Sequence, residues 1–216
     1  MKKIFSALLL YAMAVGASAQ SLQKGNMVFG LGTGLGIYRT TITDKTNTGM
    51  APDKDTSGAF IFPLTFEYGV LNWLGAGARI GYHNYIEGKD STNTNQKARG
   101  MDLMGCVNLH FLRSKHVDMF VSSEFGYSSF KYTVTVTNTT TTYGAMAIAS
   151  GTGYSFGLNT RFYFGKSAAF GLHLRFALEG FNYQNGEISD DIGSPATQFR
   201  LKGNGKVFGI GLQYKI

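Results

Sequence analysis

The feature that most constrains this chain is an apolar period of two that recurs in eight separate segments. Side chains alternate between the two faces of an extended strand, so a sustained period of two selects strands over helices. Residues 27–37 place Met27, Phe29, Leu31, Leu35 and Ile37 on one face, with Gly30, Gly32, Gly34 and Gly36 opposite. The same alternation runs through 60–70, 74–84, 101–111, 117–127, 153–164, 170–179 and 207–216. Glycine, 29 of the 216 residues, is scattered through these apolar runs. At about 1 kcal/mol against helix per glycine, a helical bundle is disfavoured. Cys106 is the single cysteine, so no disulfide framework exists. With 44% hydrophobic residues, the chain has ample surface to bury and should be ordered.

The first 19 residues read as a secretory signal peptide. Lys2 and Lys3 precede an apolar run over 4–15, and Ala17, Ser18 and Ala19 form a small-residue cleavage site before Gln20. Removing the two lysines lowers the formal charge from +7 to +5 (7 − 2). An exported chain has no occasion to meet nucleic acid, so the basic balance is not read as a nucleic-acid footprint. No later stretch has 18 consecutive apolar residues, so no helix is expected to span a membrane. A closed barrel is then the only spanning architecture that satisfies every backbone group in lipid. Residues 20–216 are expected to form one such barrel domain, with no cell-wall-binding module after it.

Volume decides which face points outward. Eight strands enclose an interior that a modest set of side chains fills, whereas the apolar faces carry far more large residues than that. Facing them outward makes an apolar band and leaves glycine, serine and a few charges for a narrow lumen. The connections alternate in the same sense. Short turns are expected at 71–73, 113–116 and 165–168, and long polar loops at 39–57, 87–99, 131–147 and 182–198. Short turns on one side and long loops on the other are the pattern of outer-membrane barrels, with the turns in the periplasm. Aromatics near the segment ends suit interfacial girdles. Trp73, Phe111, Phe164, Phe170 and Tyr214 are expected at the periplasmic rim, and Phe60, Tyr82, Tyr127, Tyr154, Phe181 and Tyr183 at the outer rim. The fold class expected is all-β, an eight-stranded antiparallel up-and-down transmembrane β-barrel in the cell outer membrane.

On the signal peptide and the eight alternating segments, the chain resembles the small outer-membrane barrels of the OmpX/OmpA/OmpW type. Its Gly- and Tyr-rich style and basic charge are most similar to PorT-like outer-membrane β-barrel domains. The last segment, 207–216, is similar to the terminal signal read by the barrel-assembly machinery, although it ends in Ile216 where phenylalanine is usual. The resemblance implies no cofactor. The chain itself reads as a structural or surface-interaction protein acting through its loops; passive transport of a small or apolar solute, as the OmpW likeness implies, and a part in a secretion or motility apparatus, as the PorT likeness allows, are the alternatives. A surface or periplasmic protein partner would be unspecified.

Alternation puts Glu67, Arg79, Asp102, Asp118, Glu124, Arg161, Arg175, Glu179 and Lys215 on the lumen face. Unpaired charges in so narrow an interior are costly, so a connected, plugging network is expected. Counting around the short turns brings Glu67 near Arg79, Asp118 beside His110 and Arg161 beside His173. His83, His110, His116 and His173 show no metal-ligand spacing. No serine can be placed beside His83 with an orienting carboxylate, so neither catalysis nor a metal is expected. Gly30, Gly32 and Gly34 lie in a strand with no helix after it, which removes a phosphate-loop reading. Cys106 reads as a small lumen filler. Arg39, Lys45, Lys54, Lys89, Lys97, Arg99 and Lys131 are candidate contacts to lipopolysaccharide phosphates at the outer rim. The threonine-rich stretch 133–142 is either a hairpin extension or a solvated loop.

Overall fold

A computed structural model of the chain describes residues 22–46, 51–86, 94–137, 142–190 and 197–216. The expected signal peptide, residues 1–19, and Lys89 lie outside the described residues. Eight strands follow one another: β1 (Met27–Asp44), β2 (Asp53–Leu71), β3 (Leu74–Ile86), β4 (Thr94–Arg113), β5 (Val117–Thr137), β6 (Thr142–Phe164), β7 (Phe170–Asp190) and β8 (Thr197–Lys215). Each pairs antiparallel with the next, and β1 pairs with β8 from Val28↔Lys215 to Asp44↔Phe199. The sheet is therefore a closed barrel with no free edge.

The apolar faces point out. Leu31 is 66% exposed and Phe125 65%, while Glu67 and Arg79 on the opposite phase are each 2% exposed. Trp73, Phe111, Phe164, Phe170 and Tyr214 ring the short-turn end, and Phe60, Tyr82, Tyr127 and Tyr154 ring the other, all exposed. Phe181 and Tyr183 correct the expected outer girdle. Both are buried, because Phe170 faces out and odd-numbered positions of β7 therefore face the lumen.

The strands also outrun the expected segments. β6 has 23 residues and β5 has 21, about twice the length that crosses a bilayer. Most of the stretches expected as long loops, 39–57, 87–99, 131–147 and 182–198, are strand, and Thr133–Thr137 takes the hairpin-extension form. The reason is a reversal of polarity along the wall. Beyond Met101, Ser129 and Ile37, the outward positions become Arg99, Lys97, Lys131 and Arg39, all exposed. The inward positions there become apolar: Tyr38, Ala59, Phe181, Phe199 and Leu201 are buried together. The membrane-level wall is polar inside and apolar outside; the outer wall is the reverse, as in a water-soluble barrel.

Glycine gives this small barrel its interior space. Gly32↔Gly211 and Gly34↔Gly209 pair across the β1–β8 seam, and a Cβ on Gly75 would lie 1.8 Å from Glu67 Oε1. At the short-turn end, Gly25 takes φ +91° and its N–H donates to Gly69 O at 2.8 Å. A Cβ on Gly69 would meet Gln23 O at 2.3 Å, so only glycine lets the amino-terminal turn lie across that end.

Candidate functional site: a two-tier lumen network under an apolar cup

Two ionic clusters occupy the lumen. The lower lies toward the short turns. Glu67 accepts from Arg161 Nη2 at 2.5 Å and faces His110 Nε2 at 2.7 Å. Asp118 faces the other ring nitrogen of His110 at 2.8 Å and accepts from Arg161 Nη1 at 3.4 Å. Phe120 is their aromatic platform: its ring stacks on His110 at 4.7 Å and carries the Arg161 guanidinium at 4.1 Å. Lys215 lies over the Tyr163 ring at 4.7 Å.

The upper cluster is built on Glu124. It accepts from Arg79 Nε at 2.7 Å and from Arg175 Nη1 at 2.5 Å. Arg175 Nη2 also reaches Glu179 at 3.2 Å and Ser155 at 2.8 Å. Asp102 faces His83 Nε2 at 2.6 Å and accepts from Ser128 Oγ at 2.5 Å. Each cluster holds one more carboxylate than guanidinium, and in each a histidine stands against the excess.

The expected pairings are partly redrawn. Glu67 is aligned with Gly77, and Thr65 with Arg79; Arg79 instead crosses the lumen to Glu124 and Glu67 crosses to Arg161. Asp118 does meet His110. His173 is aligned with Arg161, yet its Nε2 bonds Asn159 Oδ1 at 3.0 Å. Cross-strand counting ranks neighbours on one wall. In a lumen only a few side chains wide, the opposite wall is as near.

Sequence spacing also missed that His83, Asp102 and Glu179 bring ligand-type atoms within 4.8 Å of one another. Arg79 Nη2 stands 3.8 Å from Asp102 and 3.4 Å from Glu179, so a guanidinium already fills the cation's place. Ser128, Asp102 and His83 make a second unexpected grouping, with the carboxylate between the serine and the histidine. Here the carboxylate and not the imidazole holds the serine hydroxyl, so the order differs from that of a serine–histidine–carboxylate triad.

Above the upper cluster lies an aromatic layer. Tyr38 donates to Glu179 at 2.9 Å and Tyr183 bonds Ser128 at 2.6 Å, while Phe181 stacks on Tyr183 at 4.7 Å. The Tyr38 hydroxyl meets a charge and that of Tyr183 meets Ser128, while Phe181 also lines the space above. Above them opens a cup of about 700 Å³, with Ile42, Ala98, Phe130, Ala147, Phe199 and Leu201 in its wall. This apolar chamber corrects the expectation of a lumen filled only by glycine, serine and charge. It was missed because the strands were ended too early.

On the outside, the wall carries a basic collar. Arg99 and Lys131 are directly opposite across β4 and β5, with Lys97 beyond; Arg39 and Lys54 lie on the other side, and Lys45 donates through Nζ to Gln184 O. Lys202 and Lys206, exposed on β8, join the collar. They precede the expected final strand and so were not among the candidates.

The fold and its apolar band define this chain as a small outer-membrane β-barrel. The solved structures it resembles are of that class. It is similar to the outer membrane protein OprG from Pseudomonas aeruginosa (TM-score 0.55, 10% identity, 92% of this chain and 99% of that one). It is similar to the outer membrane protein AlkL (0.53, 12%, 93% and 94%) and to the outer membrane protease OmpT from Escherichia coli (0.52, 12%, 88% and 96%). At these identities the likeness is one of fold, and the barrels concerned have different roles. No protein-family model and no curated protein sequence matches the chain.

Proposed function

We propose that this chain is a non-enzymatic, non-conducting outer-membrane barrel whose role, structural or surface-interacting, is exercised at its outer end. The observation that carries the reading is the pair of ionic clusters. Buried guanidiniums and carboxylates bond one another across the lumen at two levels, and two voids beside them hold about 10 and 30 Å³, room for a water or two. The outer wall supports the surface role, because it projects a basic collar and a chamber beyond the lipid band. Lipopolysaccharide phosphates are the partner the collar suits: Arg99 opposite Lys131 is a like-charge pair that a bound anion would relieve. The last strand, outward-apolar at Phe208, Ile210, Leu212 and Tyr214, is the segment offered to the assembly machinery.

Passive transport of an apolar solute has one observation in its favour, the apolar cup. A solute leaving it downward would have to displace Tyr38, Tyr183 and the ion pairs beneath, so capture without passage is the better reading. Reconstitution of the full chain into planar bilayers tests this. We expect no steady openings; a stable ohmic conductance would refute the plug.

A further inference from the structure

We propose that the outer cup is a binding site for an organic cation with an apolar body. The cup is large enough for a drug-sized molecule, and most of its lining is aliphatic or aromatic, with Thr40, Thr56, Ser57 and Gln96 among it. Tyr85, Phe130, Tyr132, Phe181 and Phe199 turn rings into it, and such rings attract a cation as well as an apolar surface. Among the described residues, the charges that face it are of one sign. Asp55 lines the cup. Asp53 is aligned with Ile42, Asp44 with Phe199 and Asp190 with Ala145, so all three sit on the inward phase at its rim. No lysine or arginine is among the described residues that line it. The basic residues at this level lie on the outer face, at Arg39, Lys54, Lys97, Arg99 and Lys131.

This segregation by face is a selectivity device. An anion approaching the mouth meets carboxylates inside and is held by the collar outside. A cation meets carboxylates at the entrance and rings below them, and its apolar body replaces water against Ile42, Phe199 and Leu201. A neutral molecule gains only the second term. The plugged-lumen reading bears on the ligand's fate, held and not passed, and the binding claim does not depend on it.

The test is isothermal titration calorimetry on the full chain in zwitterionic lipid nanodiscs, with empty nanodiscs as blank. The probes are naphthylmethyl-trimethylammonium, naphthalenesulfonate and naphthylmethanol, which share an apolar body and differ in charge. Saturable binding of the ammonium, with the alcohol weaker and the sulfonate silent, is expected. Sulfonate or alcohol binding as tightly as the ammonium would overturn the proposal, as would absence of saturable ammonium binding. Asp53→Asn with Asp55→Asn, both at exposed positions that the fold does not need, should weaken the ammonium by about tenfold; unchanged affinity would overturn the electrostatic half of the claim. Ala147→Trp puts an indole into the cup and should weaken binding, with retained strand circular dichroism showing that the barrel still forms. A conducting barrel that still selects the ammonium would refute the plug and leave the cup standing.

Discussion

Glu124→Gln is the most informative single change in the lumen. Glu124 is 5% exposed and faces two guanidiniums, Arg79 at 2% exposure and Arg175 at 9%. With charge centres about 4 Å apart and an effective dielectric near 20, each attraction is worth about 4 kcal/mol before desolvation is counted. Arg175 retains Glu179 at 3.2 Å, and Arg79 retains Glu179 at 3.4 Å. The loss is therefore that of one broken buried pair, about 3–5 kcal/mol. Glutamine keeps the shape, so the cost is electrostatic. Urea titration of the full chain in lipid vesicles, followed by fluorescence of the single tryptophan, Trp73, provides the readout. Trp73 is 49% exposed at the β2–β3 turn, where folding carries it to the bilayer interface. At a slope of about 2 kcal/mol/M, the midpoint should fall by about 2 M. The double variant Glu124→Met with Arg175→Met should lose less than Glu124→Gln, because it removes a carboxylate together with a guanidinium and leaves the cluster's balance of charge unchanged. A fall below about 1 kcal/mol for Glu124→Gln would mean that water already screens the cluster. The plug reading would go with it.

Two further changes probe the outer surface. Leu31→Arg, at a 66% exposed position near the middle of the apolar band, should cost about 2–4 kcal/mol in vesicles; a loss within about 0.5 kcal/mol, as for an ordinary wet surface, would show that this face does not meet lipid. Lys131→Glu converts the Arg99 opposition into an attraction, and should raise thermal stability in zwitterionic bilayers by about 0.5–1 kcal/mol. The same variant should lose most of the stabilisation that lipopolysaccharide gives the unaltered chain, and an equal gain in both would remove the collar as its contact.

How far the site could be read from the chain depends on which rule each residue obeys. Glu67, Arg79 and Glu124 fall opposite the large apolar side chains in alternation, so their common face follows from parity alone. Parity applied through β7 also turns Phe181 and Tyr183 inward; grouping them as girdle aromatics by their place near a segment end overrode the stronger rule. Asp118 with His110 apart, the partner of each charge was not legible, because Arg79 reaches Glu124 from a strand two away in order, across the lumen. Such distances depend on barrel closure and shear, which no local pattern encodes. Ser128, Asp102 and His83 come together for the same reason.

What the sequence determined by itself was the wall: eight strands, their order and which face meets lipid, because backbone alternation and the volume of an eight-stranded interior admit one solution. Tertiary structure decided what the wall encloses. Above the lipid the solvent on the outside changes from hydrocarbon to water, so the same alternation is kept while the apolar side chains move to the inward phase. Only the closed barrel shows that Ile42, Phe130, Phe181 and Leu201, drawn from β1, β5, β7 and β8, meet there in the lining of one chamber.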